Sequence, residues 1–167
     1  MTMMHRNIYL TLVAFLLLLN APATQAMERF ARLGVGFTNQ LRNDLPAISF
    51  KIQRSKSFAL GGQFAYSNDE TKGGYAAGLK LYRNLFDEPH LTFYGSVLAA
   101  VISRNRSASE SVSGFQFDFT LGSEFSFPGL ESLGFSVEFG ASLNKLDDFV
   151  VETVGDSFLV SAVHFYL

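Results

Sequence analysis

Residues 114–127 read GFQFDFTLGSEFSF, and their two-residue alternation constrains the fold more than any other feature of the chain. Phe115, Phe117, Phe119, Leu121 and Phe125 share one parity, while Gln116, Asp118, Thr120, Gly122 and Glu124 share the other. Period two marks a strand with two unlike faces. A face this rich in Phe must be covered, by a protein core or by lipid, and the two cases imply different functions.

The same alternation recurs along the chain. Its members are Leu33, Val35 and Phe37; Ile48, Phe50 and Ile52; Leu60, Phe64 and Tyr66; and Tyr75, Ala77, Leu79 and Leu81. Beyond them come Leu91, Phe93, Val97, Ala99 and Val101, then the opening stretch, then Leu133, Phe135, Val137, Phe139, Ala141 and Leu143, and finally Leu159, Val163, Phe165 and Leu167. Eight such segments separated by turn-rich links predict an antiparallel up-and-down meander whose ends return to one side.

The opposite parity indicates which way the Phe face points. It carries Gly34, Gly36, Ser49, Lys51, Gly61, Gln63, Gly78, Lys80, Tyr94, Ser96, Gly134, Ser136, Glu138, Gly140, Ser142, His164 and Tyr166. A solvated sheet surface would be richer in long charged residues, and glycines inside strands weaken them unless something approaches closely. A narrow eight-stranded lumen filled by its own side chains needs this small, polar mixture. The expected fold is therefore all-β, an eight-stranded antiparallel up-and-down transmembrane β-barrel with Phe115, Phe117, Phe119, Leu121, Phe125, Phe135 and Phe139 facing lipid.

The N-terminus agrees with export. Arg6 precedes the apolar run IYLTLVAFLLLL, and NAPATQA follows with small residues, the layout of a cleaved secretory signal. About twelve apolar residues fall short of the roughly 20 that a membrane helix needs. Cleavage is expected after Ala26, with Ala23 the alternative, so residues 1–26 form the signal and 27–167 the barrel. In a bilayer such a chain must close its sheet, because no unpaired edge is tolerated there.

The links support an orientation. NQLRNDLP, SNDETKGG, SRNRSASESVSG and NKLDDFVVETVGDS are polar and mostly long, whereas RSKS, NLFDEP and SFPGLES are shorter on average. Long loops outside and short periplasmic turns are the outer-membrane arrangement. Tyr66 and Tyr75 then lie at the outer end and Phe93, Phe125, Phe135 and Phe165 toward the inner end, as two interfacial girdles would.

With its signal, eight alternating strands and C-terminal FLVSAVHFYL, the chain resembles the small outer-membrane β-barrels of the OmpA and OmpX transmembrane type. In that family the last strand carries alternating apolar residues and ends in an aromatic residue, a pattern that the assembly machinery reads. The resemblance implies this role for Leu159, Val163, Phe165 and Leu167, with Ser161 and the final Leu167 departing from the pattern. It also implies a bacterial outer-membrane location after export, contact with outer-membrane lipid and lipopolysaccharide, and a monomer.

Inside the lumen, Lys51 and Lys80 share a face with Asp118, Glu124 and Glu138. Charges in a confined interior are costly unless paired, so a salt-bridge network is expected, with a proton or ion path as the alternative. Catalysis is not expected. His5 leaves with the signal, His90 lies beside Pro89, and His164 points inward while Ser161 points outward, so no His-x-Ser pair shares a face. No cofactor is called for. The chain has no cysteine and no second His suitably spaced for a metal, and its charge of -2 with no basic cluster speaks against nucleic acid. A structural or surface-interaction barrel is the leading function; a soluble periplasmic lipocalin-like barrel and a lipid-modifying enzyme are the alternatives.

Overall fold

The structure is a computed structural model that describes residues 31–155 and 158–167; the signal expected over residues 1–26 lies outside them. The alternating segments form β1 (Leu33–Thr38), β2 (Ala47–Ser55), β3 (Phe58–Ser67), β4 (Gly74–Glu88), β5 (Leu91–Ser107), β6 (Glu110–Phe125), β7 (Leu133–Lys145) and β9 (Val160–Tyr166). A short β8 (Phe149–Thr153) precedes the last. Neighbours in sequence pair antiparallel from β1 to β7, and β9 bridges β7 and β1. The result is a closed, eight-stranded, up-and-down barrel, with β8 added along the far half of β7.

The register sets the barrel's dimensions. One circuit from Leu133 passes Phe165, Val35, Phe50, Gly62, Leu79, Ala99 and Phe117 and returns to β7 at Leu143, ten residues further along. With eight strands about 4.8 Å apart and a rise of about 3.3 Å per residue, that stagger gives a tilt of about 40° and a backbone radius of about 8 Å. So narrow a tube is filled by side chains. The two ends of the described chain meet at one rim, where Leu167 N donates to Leu33 O at 3.0 Å and Arg32 Nε donates to Leu167 O at 3.0 Å.

Period two is kept around the wall. Apolar residues such as Phe37 (67% exposed), Leu79 (73%) and Phe119 (53%) point out, and the polar parity is buried inside. Glycines on the inner parity make room for large neighbours. A methyl group at Gly122 would come within 2.6 Å of Glu138 Cγ, and one at Gly134 within 2.8 Å of Glu124 Oε1.

Four links depart from the loops expected. The polar NQLRNDLP link does not stay outside: after Thr38 the chain turns into the barrel, burying Gln40, Leu41 and Asn43. Leu41 packs with Ala47, Ala65, Ala76, Leu98, Ala100 and Ile102, an apolar layer across the inside of the long-hairpin end. Leu98 and Ile102 are inward aliphatic residues on a face that is otherwise polar, and the folded-in link is what covers them. The SRNRSASESVSG link is mostly extended, because β5 and β6 pair out to Ser107 and Glu110 around a two-residue turn. The NLFDEP link also belongs largely to β4, which runs to Glu88 with a bulge between Asn84 and Phe86. In the last long link, the aromatic and β-branched run at Phe149–Val151 forms β8 against Leu143–Lys145.

Candidate functional site

The chemistry-bearing side chains converge in the lumen. Lys51 on β2 and Glu124 on β6 form an ion pair at 2.7 Å, and Tyr166 on β9 donates to the second carboxylate oxygen at 2.7 Å. The same ammonium lies 4.5 Å from the Tyr82 ring centroid and 4.8 Å from that of Tyr94, within cation–π range. A carboxylate, itself held by a phenol, and two aromatic faces thus compensate a cation that is 3% exposed.

The second pair sits nearer the long hairpins. Lys80 Nζ donates to both oxygens of Glu138, at 2.7 and 2.6 Å, and to Gln40 Oε1 at 2.6 Å. Glu138 also accepts from Tyr94 Oη at 2.9 Å and from Thr120 Oγ1 at 2.6 Å, while Ser96 and Thr120 hydroxyls meet at 2.5 Å. Such saturation is what a buried carboxylate requires, since an unsatisfied one would carry its full desolvation cost.

Asp118 touches neither lysine directly. Its Oδ2 accepts from Gln40 Nε2 at 2.9 Å and from Gln116 Nε2 at 2.8 Å. Gln40 is the hub, because its Oε1 also accepts from Gln63 Nε2 at 2.8 Å as well as from Lys80. Gln116 holds the same link from the other side, donating to Gln40 O and accepting from Arg42 N. Nothing in the local sequence around Gln40 marks this role. The only signal was the brevity of the first alternating run, which leaves a long link next to a lumen with unmatched charge.

The lumen also holds a Ser–His contact that the sequence argument missed. Ser49 Oγ and His164 Nε2 are 2.9 Å apart across β2 and β9, both buried. Inspecting neighbours in sequence could not find it, because the two residues are 115 positions apart. Among the described residues His164 Nδ1 has no hydrogen-bond partner, so none of them supplies the orienting acid of a nucleophile-activating arrangement. Among the described residues no cluster of His, Asp and Glu could hold a metal ion.

Outside the barrel, Phe115, Phe117, Phe119, Leu121 and Phe139 are exposed on β6 and β7. Phe125 and Phe135 are half-buried because they stack at 5.8 Å and Phe127 closes over both at 5.8 Å, giving an aromatic patch at the short-turn end. Tyr66 and Tyr75 are paired at the opposite end. Leu159, Val163, Phe165 and Leu167 all face outward, and the intervening Ser161 N donates to Asn39 Oδ1 at 2.8 Å. At the long-hairpin rim, Arg104 pairs with Asp44 at 2.5 Å, Arg42 with Glu152, and Arg106 with Asp147. These pairs tie the folded-in link and β8 to the long ribbon.

Comparison with protein-family models finds no match to this chain, and comparisons with curated proteins and with solved structures find none either. The barrel itself therefore carries the functional argument.

Proposed function

We propose that the chain is an integral β-barrel of the bacterial outer membrane, reached by export, with a structural or surface-interaction role and no catalytic one. One observation carries the reading: the height of the outward apolar band. The ten residue steps from Leu133 to Leu143 climb about 25 Å along the axis at the tilt derived above, matching the roughly 25 Å band of a membrane barrel. Aromatic residues lie toward both ends of that band.

Supporting observations come from inside. An apolar ligand held in the lumen, as in a lipocalin, would have to displace two buried ion pairs and the Gln40 link. The Ser49–His164 contact is enclosed by the same side chains, so a lipid substrate has no approach to it. In this reading the short turns and chain ends face the periplasm and the long hairpins face outward. The C-terminal strand meets the assembly machinery, outer-membrane lipid and lipopolysaccharide surround the band, and the barrel acts as a monomer.

Cell fractionation tests the proposal. The protein is expected in outer-membrane fractions, soluble only with detergent, and migrating faster on a gel unheated than boiled. Recovery as a detergent-free periplasmic monomer would overturn it.

A further inference from the structure

The outer wall is not uniformly covered. A groove of about 480 Å³ crosses β3 to β7, floored at Gly95 and walled by Phe58, Leu81, Val97, Phe119, Leu121 and Phe139. Gly95 points outward among large side chains, and a methyl group there would find nothing nearer than 3.7 Å. The absent side chain is the reason for the concavity.

Among the described residues one charged residue lines this groove, Arg83. It follows Tyr75, Ala77, Leu79 and Leu81 on the outward parity of β4, and it pairs in register with Phe58 on one side and Gly95 on the other. It is exposed, and no ion pair of the described residues involves it. Because the register climbs from β4 to β7, Arg83 stands at the short-turn end of the groove while Phe119 and Phe139 stand roughly 10 Å higher along the axis. A cation below an apolar channel that rises toward the middle of the band is complementary to a molecule with an anionic head and a hydrocarbon tail.

We propose that this groove is a seat for one glycerophospholipid of the periplasmic leaflet, with the Arg83 guanidinium on its phosphate and an acyl chain over Gly95. The inference rests on the membrane reading above. A planar guanidinium can engage a phosphate through two parallel hydrogen bonds, and its aliphatic stem can lie along apolar surface while the charge reaches the interface. The alignment of Arg83 with the groove, rather than basic charge at the rim, gives the site its specificity. Arg54 offers the internal control: it too ends an outward apolar stripe, after Ile48, Phe50 and Ile52 on β2, but it does not line the groove.

Native mass spectrometry of the barrel in dodecyl maltoside, titrated with palmitoyl-oleoyl phosphatidylglycerol, tests the seat. Wild type should retain a single lipid at energies that strip detergent, and should not retain the matching diacylglycerol. Arg83→Gln and Gly95→Leu should each weaken retention by about tenfold or more, the scale of one lost charge-assisted contact, whereas Arg54→Gln should not. Faster unheated gel migration confirms that each variant is folded, and Gly95→Leu adds its side chain to open space. Equal retention by all four proteins overturns the seat while leaving the membrane reading intact, and so does equal loss in Arg54→Gln and Arg83→Gln. A barrel that stays folded and monomeric without detergent overturns both.

Discussion

Glu138 shows how much a single residue can carry in a lumen this narrow. It takes two of the three hydrogen bonds of Lys80, together with those of Tyr94 and Thr120. Glu138→Leu would leave a buried ammonium without its carboxylate and should destabilise the barrel by about 3 to 5 kcal/mol. Adding Lys80→Met should recover much of that loss, since an apolar pair need not be desolvated. Urea unfolding in lipid vesicles measures both, and a Glu138→Leu effect within about 0.5 kcal/mol would mean the pair is solvated. Gly122→Ala probes the same place sterically: its methyl group would press on Glu138 and Tyr94, and the expected cost is about 1 to 3 kcal/mol. In the link between β3 and β4, the Asp69 carboxylate accepts from the backbone N–H of Thr71 and Lys72 and from the Thr71 hydroxyl. The Thr71 backbone bond foremost holds its pKa below the ordinary 3.8. A depressed carboxylate stabilises its turn above the unfolded value and loses that effect as pH falls through the folded one. The amides of Thr71 and Lys72 should therefore titrate with a midpoint below 3.8 by NMR, and a midpoint above that would contradict the geometry.

At the scale of elements, the link between β1 and β2 does what a loop of that composition rarely does. It is short of apolar residues, yet Gln40, Leu41 and Asn43 are buried because the lumen offers partners that solvent would otherwise supply. Gln40 serves Lys80, Gln63 and Asp118, Leu41 covers Leu98 and Ile102, and Arg42 reaches Gly155 O at 2.9 Å. Gln40→Ala removes an acceptor from Lys80 and a donor from Asp118, and it should cost about 1 to 3 kcal/mol. Amide exchange in residues 39–45 should accelerate while that of β4 to β6 stays unchanged. Uniform acceleration would instead mean that the link is part of the barrel's single cooperative unit.

At the scale of the whole molecule, the opening question about the Phe face becomes a measurement. The chain contains no Trp, so Phe119→Trp places one fluorophore on the outward face of β6. In refolded vesicles its emission should be blue-shifted and quenched by brominated acyl chains, because membrane-facing indole touches lipid directly. Ser109→Trp, at the tip of the β5–β6 ribbon, should resist those chains and yield to aqueous iodide. Failure of brominated lipid to quench Phe119→Trp in a folded barrel would count against a bilayer around this band.

The sequence alone determined the strand period, the number of barrel strands and the division of each of those eight strands into outward and inward residues. Those features follow from side-chain direction alternating along an extended backbone, which is a local property. Tertiary structure decided what those inward residues meet. The pairing of Lys51 with Glu124 and of Lys80 with Glu138 depends on the stagger of the closed sheet, and the sequence offered several equally plausible matches among two lysines and three carboxylates. The Ser49–His164 contact depends on β9 closing beside β1, a relation between residues far apart in the chain. Gln40 was invisible for the same reason: its environment is built by β3, β4 and β6, and a polar link reads as solvated until a lumen with unmatched polar groups is placed beneath it. The groove at Gly95 belongs to this class as well, since a missing side chain becomes a concavity only when β3, β4, β6 and β7 bring large ones around it.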